Sequence, residues 1–412
     1  MLAATASCTC GRGGGRPPPA PVRPPPTLAA ASFRLANGLE VELVSGPCGE
    51  DDVAVITLFA VGADHDPVDR SGMARVVARL LSAPGGATRV ESGSDHTSMS
   101  VVVHKDRLAA ELDALAARMP RLDATGADLA RARSEVLVDL ASMRGGDPAQ
   151  TARSYAAESV HPTRGNGWQG GVATELEEID LAQAQAFWRA QYVPGNARLV
   201  IVGPFDAAAV RSRIEAAFAT WSPGSAPAPR EPADATVTGT LVFGDAPSAL
   251  AVAVSAPAPS DALYPAFLVL AARLLAPVSP ARSWEASYDP IARPETLFVS
   301  AQVPPGPAPE AAATAVRAEL SALLAQPLAP ADFTAAKDRF GLLLGLHALE
   351  PATCAAEPRA FALARARRAQ LGLSALHLGE ALDATTQAQL DEAAARFGPR
   401  RSAAVVAGGT IR

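Results

Sequence analysis

Two short apolar runs, ARLVIVG (197–203) and SAAVVAG (402–408), close two stretches of the chain in the same way. Each has strand length and few polar positions, so each predicts a strand. The stretches before them also match in order. From Phe33, a hairpin about Asn37-Gly38 is followed by an apolar strand (52–63), a helix entered at Asp69 or Ser71, and a strand (96–105). Helices at 107–119, 127–143, 148–159 and 181–192 precede the first closing strand, and a helix at 207–221 follows it. After residue 238 come strands (239–244, 248–255), a helix (261–276), strands (283–288, 295–303) and helices (308–325, 331–347, 352–371, 384–397). A repeat of this kind predicts an α+β duplication: two homologous domains, each a mostly antiparallel sheet with helices packed on one face. The expected boundaries are a leader (1–32), a first domain (33–221), a Pro/Ala/Ser-rich linker (222–238) and a second domain (239–412).

The chain of 412 residues is 49% hydrophobic and 19% charged, enough apolar content for two cores. A formal net charge of -6 argues against nucleic acid as the main partner, because phosphate binding needs clustered Lys and Arg. The leader segment GRGGGRPPPAPVRPPPT (11–27) reads as a tether. Small residues just before Cys8 resemble the end of a bacterial lipoprotein signal, although no basic region precedes them. Cys8 is therefore a candidate lipidation site; the alternative is a leader without a targeting role. The expected location is the bacterial cell envelope or periplasm, with membrane contact only through such an anchor; the alternative is the cytoplasm. Cys48 and Cys354 fall in different halves and read as small buried residues, with no disulfide framework expected.

Several segments resemble the insulinase/pitrilysin-type zinc peptidases, in particular their short bacterial and mitochondrial-processing branch. These are Asn37-Gly38-Leu39, FAVGADHDPVDRSGMARVVARLL (59–81), LARARSEVLVDLASMRGGDP (129–148) and AFWRAQYVPGNARLVIVG (186–203). The resemblance runs from Phe33 to Arg412. It implies that the helix after Gly72 stands where active members carry His-x-x-Glu-His, the inverted zinc motif. Two histidines four apart on that helix would bind the metal and the glutamate would activate water. The five matching residues here are Arg75-Val76-Val77-Ala78-Arg79. A guanidinium has no lone pair to donate and stays protonated. The resemblance places Asp139 at the third-ligand position, at a shorter interval than in active members. The segment APGGATRVESGS (83–94) stands where those members have an extra cleft-lining helix, and reads here as a loop. Arg282 and Tyr288 stand near the family's substrate-gripping Arg and Tyr with altered spacing; Tyr288 reads equally as an ordinary strand aromatic.

Other polar residues read as structural. His65, His96, His104 and His161 show no helical ligand spacing. Asp66 and Asp69 suit a turn and a helix cap. Glu175, Glu177, Glu178 and Asp180 suit a solvated helix start, and the Arg-rich stretch 362–370 a solvated helix face or a contact with an acidic partner. The functional expectation is a peptidase homologue without zinc, acting as a non-catalytic subunit or scaffold. Its partner would be a zinc-bearing homologous peptidase subunit, and its ligand extended peptide. The alternatives are an envelope structural or interaction protein, and an active zinc endopeptidase with unusual ligands. One electrostatic expectation accompanies this reading: Arg75 or Arg79 should pair with Asp139.

Overall fold

The computed structural model describes residues 28–82, 87–145, 147–161, 171–225, 239–244, 246–276, 283–291, 296–304, 308–327, 329–344, 354, 357–373 and 375–408. Cys8, Arg282, the Pro-rich tether and most of the expected linker lie outside these residues.

The first half builds a six-stranded sheet from β1 (Ala29–Arg34), β2 (Glu40–Ser45), β3 (Asp52–Phe59), β4 (Arg89–Ser92), β5 (Thr97–His104) and β6 (Ala197–Gly203). Their spatial order is β1-β2-β6-β3-β5-β4. The second half builds β7 (Gly239–Phe243), β8 (Ala249–Ser255), β9 (Trp284–Ser287), β10 (Thr296–Gln302) and β11 (Ser402–Ala407), ordered β7-β11-β8-β10-β9. In each sheet the closing strand, β6 or β11, inserts beside the first strand of the repeat and runs parallel to it, while the other pairings are antiparallel. That central position explains the unbroken apolar runs: Leu199 and Ile201 face one core, and Val200 and Val202 another. β1 is an addition to the repeat. It starts at Ala29, four residues before the expected boundary at Phe33.

The main helical layer of the first half contains α1 (Met73–Leu81), α2 (Leu108–Arg118), α3 (Gly126–Gly145), α5 (Ala173–Glu177), α6 (Leu181–Gln191) and α7 (Ala207–Ala217). The corresponding layer of the second half contains α8 (Tyr264–Leu274), α9 (Pro309–Leu324), α10 (Pro330–Leu344), α12 (Ala375–Asp383) and α13 (Gln387–Phe397). Two helices cross over. α4 (Pro148–Val160), from the first half, lays Ala152, Ala156 and Val160 on the outer face of the second sheet, against Ala251, Ala253 and Val405. α11 (Pro358–Gln370), from the second half, lays Phe361, Ala362 and Ala366 on the outer face of the first, against Val44, Ile56 and Val202. Each half's own helical layer thus covers one face of its sheet, as expected, and the crossed helix of the other half covers the second face. The small side chains of α4 and its sheet allow close approach, and periodicity cannot say whose sheet a helix covers.

The crossed helix α11 brings two corrections. Cys48, in the turn after β2, forms a disulfide with Cys354, just before α11, across 306 residues with Cα atoms 5.2 Å apart. The pair was unreadable because the crossover that joins the halves was. The arginines of α11 are also not a solvated face. Arg365 pairs with Glu42, an acid on the outer face of β2, and the side chains of both are largely buried. Arg367, 2% exposed, bonds the carbonyl of Ile291 at 2.6 Å and reaches Asp95 Oδ2 at 3.0 Å. Burial pushes the Asp95 carboxyl up, but His96 and the Arg367 guanidinium outweigh it and hold it well below the usual carboxylate range. The acidic partner is the first sheet of the same chain.

Candidate functional site

α1 buries Met73, Ala74, Val76, Val77, Ala78 and Leu80, leaving Arg75 and Arg79 on the remaining stripe, four residues and one helical turn apart. Its start is fixed tightly. Gly72 takes a left-handed conformation (φ 90°), and Asp66 accepts the N–H of Gly72 at 2.6 Å and of Ala74 at 2.8 Å. Asp66 thus does the capping work expected of Asp69 or Ser71, while Asp69 sits in the turn at φ 61°. Glu175, read from sequence as a solvated helix start, instead accepts from Ser71 N and Oγ at 2.8 and 2.6 Å and ties α5 to this entry.

Removal from water raises the Asp66 carboxyl to about 7, against the opposing pull of the Ala74 and Gly72 N–H groups. The folded state thus holds this proton more firmly than the unfolded chain, whose carboxyl titrates near 3.8. Its contribution to stability is greatest below that value and falls as pH rises towards about 7. Urea unfolding across this range should show the decline, and Asp66→Asn, which cannot ionise, should flatten it. An unchanged slope would contradict the assignment.

α3 packs across α1 and delivers Asp139. Arg79 forms an ion pair and hydrogen bond with Asp139, and its Nε lies 3.9 Å from Glu135, which Arg131 also holds at 2.8 Å. The structure thus brings Arg79 and Asp139 together. Arg75 and Ala78 line the same cleft, of about 680 Å³, with edge strand β4 as its wall. Residues 89–92, part of the expected loop, are that strand: Val90 and Ser92 pair with Met99 and Thr97 of β5. So short a run, with alternate exposed charges, carries no strand signal until a sheet edge is there to receive it.

These residues do not fit a zinc ion. Arg75 and Arg79 offer no lone pair, Ala78 offers no base, and the Asp139 carboxylate is held by Arg79. Among the described residues no three of His, Cys, Asp and Glu gather as a metal-binding group. His96 lines the cleft, with Nδ1 3.0 Å from Asp95 Oδ1. His65 receives the Gly62 N–H, His104 lies near Asp51 and Asp106, and His161 meets Thr296. Tyr288, one residue past β9, packs edge-on against Phe267 and Phe340 in the second core, the placement of a core aromatic. Sequence reasoning missed the Glu91 side of the cleft and the Asp95 link to α11; neither belongs to a motif.

This arrangement defines a class: a duplicated α+β fold with a guanidinium–carboxylate pair in the cleft beside α1. Residues 178–340 match the sequence model of the family described as Peptidase M16 inactive domain. No curated protein matches the chain by sequence. Among solved structures, a protease from Helicobacter pylori superposes with a TM-score of 0.73 at 16% identity, covering 92% of this chain and 99% of that one. A peptidase M16 inactive domain from Pseudomonas fluorescens gives 0.72 at 18% identity, covering 93% and 98%. The first half of the periplasmic protease PqqL from Escherichia coli gives 0.65 at 14% identity, covering 93% of both; of whole PqqL, the chain covers 48%. The chain as a whole thus has the fold of these M16-type peptidase structures, and residues 178–340 are similar to the family's inactive domain.

Proposed function

We propose that this chain is a non-catalytic peptidase homologue that holds extended peptide in the cleft between α1 and β4, and that it works paired with a zinc-bearing homologue. The observation that carries this reading is the Arg79–Asp139 pair. It takes up the one carboxylate at the former ligand positions and neutralises it where a cation once would. An open edge strand remains beside it, and an edge strand can accept a peptide backbone by strand addition. The pairing is supported by size: the chain covers one half of PqqL, a protease of two such halves in length. An envelope or periplasmic location is supported by the buried Cys48–Cys354 disulfide, since such bonds persist in oxidising compartments. No described helix is long and apolar enough to cross a membrane.

The test is affinity purification of the chain from its native host. A zinc-bearing homologue should co-purify near one-to-one, and its cleavage activity should fall when this chain is deleted. Recovery of the chain alone, with peptidase activity in the host unaffected by deletion, would overturn the paired reading.

A further inference from the structure

The two sheets match strand for strand except at one edge. β2, β6, β3, β5 and β4 correspond in spatial order to β7, β11, β8, β10 and β9, and β1 has no counterpart among the described residues. In the first half β1 lies antiparallel on β2 along its whole length. Four of the six β2 residues are buried. None of the five β7 residues is, and Leu241 and Val242 are 44% and 40% exposed. They are two of the four large apolar side chains exposed among the described residues. Successive strand residues point to opposite faces, so β7 is uncovered on both. Yet the strand is held at each end. Phe243 stacks on Tyr155 of α4 at 4.4 Å, and Arg317 of α9 donates to the Gly239 carbonyl at 2.6 Å and the Thr240 hydroxyl at 3.2 Å.

Exposed edges ordinarily carry charge, which discourages strand addition. β4 has Arg89 and Glu91, β9 has Glu285 and β1 has Arg34. β7, Gly-Thr-Leu-Val-Phe, has none. Pairing about a two-fold axis needs a patch that matches itself, and like charges set opposite each other would oppose it. An uncharged, β-prone strand meets that condition. Centred on Leu241, an antiparallel pair sets Leu241 against its own copy and Val242 against Thr240.

We infer that β7 is a homodimer edge: β7 of a second copy adds to it antiparallel, as β1 adds to β2, and joins two five-stranded sheets into one across a two-fold axis. The inference is independent of the peptide-binding reading above. Five residues a side make a small interface, so the dimer should be weak, with a Kd on the order of 10 µM.

The experiment uses the purified full chain. In sedimentation velocity from about 1 to 200 µM the mass should rise from one chain towards two. Hydrogen exchange over the same range should show the β7 amides slowing as the dimer forms. Leu241→Lys and Val242→Lys, both at exposed positions, should weaken association by at least about tenfold without lowering the thermal midpoint of the monomer. A chain that stays monomeric throughout would overturn the inference, whether its β7 amides are always fast or are always protected by the chain's own residues. A dimer whose β7 amides stay fast, or that both lysine variants leave intact, would overturn it as well. Exchange on the unaltered chain decides the matter even where a lysine variant fails to fold.

Discussion

Replacing Arg367 by methionine should lower the stability of the protein by about 3–5 kcal/mol, the range for removing one partner of a buried ion pair. Arg367 is 2% exposed and bonds Ile291 of the second half and Asp95 of the first, so it stitches α11 into the junction of the two. Methionine fills much of the volume but leaves Asp95 without its guanidinium and the Ile291 carbonyl without its donor. The double variant Arg367→Met, Asp95→Asn should recover part of the loss, because the remaining group is then neutral. The acid limb of the stability curve should change too. A depressed carboxyl contributes stability that is present above its unfolded value near 3.8 and lost as pH falls through its folded value. In Arg367→Met that acid-sensitive contribution should shrink. Urea unfolding at neutral and acidic pH measures both effects. A loss below about 1 kcal/mol would mean that the junction gains little from this pair.

Loss of the Cys48–Cys354 bond should have an effect of similar size. The cross-link spans 306 residues, so in the chain-entropy account it restricts the unfolded ensemble strongly, by as much as about 5 kcal/mol. Both cysteines are fully buried between α11 and the first sheet. Added reductant should therefore act slowly on the folded protein. The comparison is best made with Cys354→Ser, or with protein reduced in denaturant and refolded. The expected result is a lower midpoint and the release of α11, seen as faster proteolysis near Pro358 than elsewhere. Identical thermal midpoints for oxidised and reduced protein would contradict this role.

What could be read in the sequence followed from local periodicity. The closing strands at 197–203 and 402–408 declared themselves because central strands are apolar on both faces, and their echo gave the duplication. Arg75, Arg79 and Asp139 were singled out by the family resemblance alone, and the pairing expected of them is present between Arg79 and Asp139. The exchange of α4 and α11 was not legible, since an alanine-rich stripe looks the same whichever sheet it covers. Two misreadings and one omission share this cause. The disulfide, the burial of Arg365 and Arg367, and the role of Asp95 all depend on α11 lying on the other half's sheet. Strand β4 was missed for a different reason: four residues at an edge take their conformation from β5, not from their own propensity.

Metal analysis of the purified full chain after incubation with excess Zn²⁺ and desalting tests the central claim most directly. With two permanently cationic side chains at Arg75 and Arg79 and the Asp139 carboxylate held by Arg79, the protein should retain far less than one equivalent and cleave no peptide. One equivalent of tightly held zinc, together with peptide cleavage that a chelator abolishes, would contradict it.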